Sequence, residues 1–268
     1  TVNPINLRMA KPRILVLRAP GTNCDVETAY AFDAAGGSST RIHVQQLIER
    51  PMLAQAYQIL CFPGGFSYGD DIASGRVLAT QLQTHVPDVI EHFRNQDRLV
   101  LGICNGFQIM MRLGIFFDQP HRPAATLTWN RQGRFEDRWV HLAGDDALCP
   151  FLKGIDRWYL PMAHAEGRFV VRDEAAKQEL IRNGQLVLRY CDENGQASDT
   201  CLDHPINPNG ADLNVAGMCD RTGRVFGLMP HPERHLFPTH HPHWTRREIQ
   251  PEHGEGMKLF FNAVEYFQ

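Results

Sequence analysis

Leu99-Val100-Leu101-Gly102-Ile103 runs without a polar break into Cys104-Asn105-Gly106-Phe107-Gln108. Such an apolar run predicts a strand covered on both faces, and residues 107–113 behind it have helical spacing. A side chain lifted out of a sharp strand-to-helix turn is the setting of a nucleophile elbow, here with Cys104 where a serine often stands. Gly102 and Gly106 relieve the crowding around that turn. The following helix N-terminus offers unpaired N–H groups and a partial positive charge. Both favour thiolate, the nucleophilic form, over thiol. The Asn105 N–H would face an oxyanion forming on a substrate carbonyl. The competing reading is a buried structural cysteine in a glycine-rich turn.

Outward from this stretch, short apolar strands are predicted at 13–18, 41–44, 59–62 and 225–229. They alternate with helices at 25–35, 72–85 and 89–95, and a closing helix spans 257–267. Strands alternating with helices of this length indicate βαβ units. The fold class is therefore α/β, a mainly parallel open sheet flanked by helices. Strands at 139–142, 167–171 and 185–190 add a small antiparallel flank. No linker or repeat divides the chain, so 1–268 reads as a single domain. Residues 1–11 form an N-terminal extension and 236–256 an irregular, solvated, Pro- and His-rich surface loop.

Composition narrows the function. The 268 residues carry a net charge of −3 with no basic patch, which argues against nucleic acid. No apolar run is long enough to span a membrane, and 1–11 lack a signal-peptide core; a soluble cytoplasmic protein is expected. The cysteines are odd in number, seven, with no Cys-x-x-Cys pair. That argues against a disulfide framework or a common zinc site, and no metal is expected. All but Cys104 read as small buried apolar residues. The histidines 231, 235, 240, 241, 243 and 253 match no common zinc spacing.

A cysteine nucleophile needs a group to take and return a proton. His231 follows the strand at 225–229, fixed between Pro230 and Pro232. Residues two apart in an extended segment point the same way, so Glu233 can hold the second ring nitrogen of His231 and fix its tautomer. Both groups sit at C-terminal strand ends, where open α/β sheets bind ligands. The loop Pro63-Gly64-Gly65-Phe66-Ser67-Tyr68-Gly69-Asp70 follows another such strand, and its glycines let main-chain N–H groups approach a ligand. A tight turn would use the same residues.

Taken together, Gly64-Gly65-Phe66-Ser67-Tyr68-Gly69-Asp70, Gly102-Ile103-Cys104-Asn105-Gly106-Phe107-Gln108, Ala163-His164-Ala165-Glu166-Gly167-Arg168, Asn207-Pro208-Asn209-Gly210 and Met229-Pro230-His231-Pro232-Glu233-Arg234 resemble the class I, triad-type glutamine amidotransferases. More narrowly they resemble the glutaminase of phosphoribosylformylglycinamidine synthase, an enzyme of purine synthesis. The resemblance covers nearly the whole chain and implies a flavodoxin-like sheet. It implies Cys104, His231 and Glu233 as catalytic residues, and Gly65 and Asn105 as oxyanion donors. Gly64, Phe66, Gln108, His164 and Glu166 would contact glutamine. It implies no cofactor on this chain and a synthetase subunit or domain as partner, which uses ATP and magnesium, with a small third subunit as a further candidate. Departures are Ala165 where the family usually has Gly, Ala211 where it has Ser, and Asp71 where an aromatic or apolar residue is common. A peptidase-like Cys-His hydrolase and a non-catalytic synthetase-binding subunit are the alternatives.

Overall fold

The structure, a computed structural model, describes residues 11–247 and 251–268. Most of the expected N-terminal extension, and positions 248–250 of the Pro/His-rich loop, lie outside the described residues.

Apolar runs without polar alternation become central strands. β1 (Arg13–Arg18), β3 (Ile59–Phe62), β4 (Leu99–Ile103) and β11 (Val225–Leu228) are almost wholly buried. With β2 (Ser38–His43) they form the parallel half of a nine-stranded sheet, in the order β2-β1-β3-β4-β11. Helices α1 (Asp25–Ala34) and α7 (Met257–Glu265) pack against one another, with Phe32 edge-on to Phe260 at 5.0 Å. Elsewhere α3 (Arg76–His85) packs on α5 (Asn105–Leu113), and α4 (Pro87–Asn95) lies beside β4.

The sheet then turns antiparallel through β10 (Val215–Cys219), β9 (Leu188–Tyr190), β6 (Glu136–Gly144) and β7 (Arg157–His164). This flank extends further than its sequence suggests. β10 and β7 are absent from the sequence reading, and β6 is longer than the expected 139–142. The expected strand at 167–171 is β8 (Arg168–Val171), which pairs with the unforeseen β5 (Ala125–Thr128) in a separate two-stranded ribbon. β2 ends at His43, and Val44 opens an unforeseen short helix, α2 (Val44–Glu49), because the His43 side chain caps it by accepting from the Gln45 N–H. Helix α6 (Glu174–Arg182) is capped by Asp173.

Two expectations need correction. The helix predicted from residue 72 starts at Arg76, because Ile72 and Gly75 have left-handed backbones. The Pro/His-rich loop is not simply solvated. Its described residues form only single 3-10 turns at Pro238–His240 and Trp244–Arg246, yet Leu236 and His241 are buried, as is His235 just before the loop. They pack near the outer edge of the sheet, where Trp139 lies 5.0 Å from His235. Glu255 accepts from the Tyr159 N–H at 3.0 Å and from the Trp158 indole at 2.9 Å. A loop thereby covers the backbone donors of an edge strand.

Candidate active site

The register of two parallel strands builds the site. Leu228, last residue of β11, lies beside Ile103, last residue of β4. The Cys104 N–H donates to the Leu228 carbonyl at 2.8 Å. The chain beyond each strand therefore emerges at the same sheet end, with Cys104 on one exit and His231 on the other. Cys104 caps α5 with φ 50° and ψ −105°, a strained conformation for a side chain-bearing residue. The neighbouring Gly106 is required by packing: a Cβ there would stand 1.8 Å from the Phe62 carbonyl oxygen.

His231 is buried, and its N–H donates to the Pro161 carbonyl at 2.8 Å, tying it to β7. Its Nδ1 bonds Glu233 Oε1 at 2.5 Å, which leaves Nε2 with no hydrogen-bond partner among the described residues. Burial, the largest influence on this ring, opposes its charge. The Glu233 carboxylate, then Cys104 and Cys24, outweigh it and hold the histidine pKa well above its usual value. Cys104 Sγ also approaches the Ala163 carbonyl at 3.7 Å, so the sulfur faces the antiparallel flank as well.

The glutamine-site residues implied by the resemblance converge with one exception. A cleft of about 230 Å³ is lined by Cys104, Gly65, Phe66, Gln108, His164 and Glu166, and also by Asp70, Ser74 and Trp129. Gly64 stands instead behind the His231 ring: a Cβ there would lie 2.9 Å from Cε1 and 3.3 Å from Cys24 Sγ. The Gly65 N–H makes no backbone hydrogen bond among the described residues and lines the cleft. His164 is the last residue of β7. It is buried, and its pKa is lowered to about 3 by burial and, secondarily, by the charge on His231.

Three residues of this site went unforeseen. Asn130 is buried and organises the loop after β7: Nδ2 donates to the His164 carbonyl at 2.8 Å, and Oδ1 lies 3.1 Å from His164 Nδ1 and accepts from Gly167 N–H. An asparagine within Thr128-Trp129-Asn130-Arg131 carries no sequence signal of that role. Cys24, fully buried at the start of α1, accepts from Arg234 Nη2 at 3.1 Å. Burial pushes its thiol up, a shift that the nearby His231 ring partly offsets. One signal was available, since Cys24 follows β1 at the same sheet end as Cys104. Asp70, third of these, lies in a strained loop: Tyr68, Asp70 and Ile72 all have positive φ.

Cys24 Sγ, a His231 nitrogen and a Glu233 oxygen lie within 4.8 Å of one another, a donor set of the kind that holds a divalent metal. Two contacts work against a cation there. The His231–Glu233 bond already uses two donors, and the Arg234 guanidinium faces the sulfur. A larger cleft, about 670 Å³, opens over β6 and β7 beside His141 and Cys191. Burial pushes the Cys191 thiol up to about 11, so it is not a nucleophile at neutral pH. The chemistry therefore selects the smaller cleft.

Comparison with known proteins identifies the family and the fold. Residues 11–267 match the family model described as a CobB/CobQ-like glutamine amidotransferase domain. Phosphoribosylformylglycinamidine synthase subunit PurQ of Methanococcus maripaludis is 44% identical over 269 residues, covering 96% of this chain and 98% of that protein. The subunit of the same name from Dehalococcoides mccartyi is 42% identical over 261 residues, covering 96% and 98%. Among solved structures, a chain of PurLQS from Thermotoga maritima superposes with a TM-score of 0.71 at 28% identity, over 97% of this chain and 100% of that one. No helix among the described residues is long and apolar enough to cross a membrane.

Proposed function

The chain belongs to the CobB/CobQ-like glutamine amidotransferase family and, within it, to the PurQ subunits of phosphoribosylformylglycinamidine synthase; from that premise we propose that Cys104, His231 and Glu233 hydrolyse glutamine and that the ammonia passes to a synthetase subunit. The observation that carries the reading is the pairing of β4 with β11. It brings a strained cysteine and a carboxylate-held histidine out at one sheet end.

Cys104 Sγ attacks the side-chain amide carbon of glutamine. The oxygen of that amide becomes an oxyanion facing the N–H groups of Gly65 and Asn105, one from the loop after β3 and one from the first turn of α5. His231 Nε2 gives its proton to the departing nitrogen, the C–N bond breaks, and ammonia leaves a glutamyl thioester on Cys104. The same nitrogen then takes a proton from water, whose oxygen attacks the thioester carbonyl. The C–S bond breaks, releasing glutamate and restoring the thiolate beside the imidazolium. Glu233 keeps Nδ1 as the hydrogen-bonded nitrogen throughout, so that Nε2 does the transfer.

Ammonia free in water at neutral pH would protonate and lose its nucleophilicity, which favours direct delivery to the partner. In this reading the chain works without a cofactor of its own, in the cytoplasm, and ATP and magnesium serve the synthetase. Glutamate release by this chain, alone and mixed with a PurL-type synthetase, tests it. Activity stimulated by the synthetase and lost in Cys104→Ala is the expected result. Peptide cleavage without glutamine cleavage would overturn it.

A further inference from the structure

We propose that His164 Nε2 accepts a hydrogen bond from the nitrogen of the scissile amide and keeps that nitrogen as it leaves as ammonia, a role that rests on the glutaminase reading of the same cleft. The site would then prefer an amide to an ester of the same acyl group.

Asn130 fixes which nitrogen of His164 carries the proton. Asn130 Nδ2 donates to the His164 carbonyl at 2.8 Å and to the Arg134 carbonyl at 3.0 Å, so Oδ1 is its acceptor end. That oxygen accepts from the Gly167 N–H at 3.3 Å and lies 3.1 Å from His164 Nδ1. An acceptor facing Nδ1 demands the proton there. The neutral ring then presents Nε2 as a bare lone pair, an acceptor only. His164 is 2% exposed, and Nε2 has no hydrogen-bond partner among the described residues. A buried acceptor left unpaired is costly, and a ligand N–H repays it.

The position of the ring selects which N–H that is. His164 lines the cleft with Cys104, and the Ala163 carbonyl just before it lies 3.7 Å from Cys104 Sγ. The ring also feels the charge of His231, the proposed proton donor to the departing nitrogen. Gly167 leaves room for it: a Cβ there would stand 2.1 Å from His164 Cε1 and 2.5 Å from Nε2. Other acceptors of the wall already serve the protein, since Glu166 accepts from the Ser74 N–H at 3.3 Å and Asp70 from Asn105 Nδ2 at 3.1 Å.

Burial, with a pKa of about 3, keeps the ring neutral, so it accepts a hydrogen bond without gaining or giving a proton. The carboxamide offers two N–H groups. After the C–N bond breaks, the nitrogen carries these two hydrogens and the one from His231, and departs as neutral ammonia. The γ-carboxylate of glutamate has no hydrogen to offer and meets Nε2 lone pair to lone pair, which favours release of the product.

The test compares glutamine with glutamate γ-methyl ester on the chain in complex with its synthetase. Both form the same thioester on Cys104, but the leaving oxygen of the ester carries no hydrogen. His164→Asn keeps a donor for Asn130 and lacks Nε2; His164→Phe keeps a ring and lacks both nitrogens. Alkylation of Cys104 by iodoacetamide checks that each variant retains its nucleophile. Loss of a neutral hydrogen bond that leaves a buried group unpaired costs about 5- to 30-fold. The ratio of kcat/KM for glutamine to that for the ester should therefore fall at least about fivefold in each variant that retains its nucleophile, mainly through KM for glutamine. General loosening of the wall would slow both substrates alike. A ratio within about twofold of wild type in any such variant would overturn the role of His164 while leaving the glutaminase reading intact. Failure of wild type to hydrolyse glutamine would remove that reading, and this role with it.

Discussion

The two halves of the sheet divide the work. The parallel half ends its strands at the site and carries the proposed reacting groups: Cys104 after β4, His231 and Glu233 after β11, and the Gly65 loop after β3. The antiparallel half carries residues we assign to recognition: β7 ends in His164, and the loop beyond carries Glu166. One half is held by continuous apolar strands that cannot shift without disturbing the core. In the other, the loop that follows β7 is held by side-chain hydrogen bonds such as those of Asn130. Substitutions in the parallel half should therefore act on kcat, and those in the antiparallel half on KM.

The largest effect is expected at Cys104. Cys104→Ala should lower kcat for glutamine hydrolysis by at least about 10⁴-fold while leaving the thermal transition in place. Next is Glu233→Gln, which keeps the shape but loses the charge that holds His231 Nδ1, and should cost about 10²- to 10⁴-fold in kcat with little change in KM. A variant that raised KM alone would break the division. Asn130→Ala should do the reverse, raising KM about tenfold or more with kcat within a few-fold, because it loosens the loop that presents His164 and Glu166. Steady-state kinetics on the three variants decide the matter.

The sequence made these halves unequally legible. β1, β3, β4 and β11 are near-continuous apolar runs, the pattern that burial on both faces demands. β7 reads Arg157-Trp158-Tyr159-Leu160-Pro161-Met162-Ala163-His164, where Pro161 argues against a strand by sequence but is tolerated because β7 is an edge strand. β10, Val215-Ala216-Gly217-Met218-Cys219, is built mostly of small residues, and its central glycine is demanded by the facing strand: a Cβ there would lie 2.7 Å from the Gly227 oxygen. The proposed triad was legible because motif and strand end coincide. Asn130, Asp70 and Cys24 were not, because their partners lie 34, 35 and 210 positions away, across the fold.

Acid sensitivity separates the halves again. Histidine in an unfolded chain titrates near 6.5, while His164 in the folded protein titrates near 3. Between those values the unfolded chain binds the extra proton. The stabilisation is therefore full above pH 6.5 and is lost as pH falls toward 3, by up to about 1.4 kcal/mol per pH unit. His231, with its raised value, acts in the opposite sense: its stabilisation is present below 6.5 and is lost as pH rises through the folded value. His164→Asn should thus lessen the drop in the urea midpoint between pH 7 and pH 5. An equal drop in wild type and variant would contradict the buried neutral ring.

The smallest effect belongs to Cys24, which touches His231 from behind. Cys24→Ser should change kcat/KM by only about two- to fivefold, since it acts through the His231 ring and not on substrate. Because Cys24 helps to raise His231, the alkaline limb of the pH–rate profile should move to lower pH. An unmoved limb would reduce Cys24 to packing.

Two thiols flank one imidazole, and only one of them should form the thioester. Treating the protein with a glutamine-mimicking chloroketone and mapping the adduct by mass spectrometry tests this most directly. The expected result is a single adduct on Cys104, slowed by added glutamine, with Cys24 unmodified. An adduct on Cys24, or glutamine hydrolysis that survives complete modification of Cys104, would contradict it.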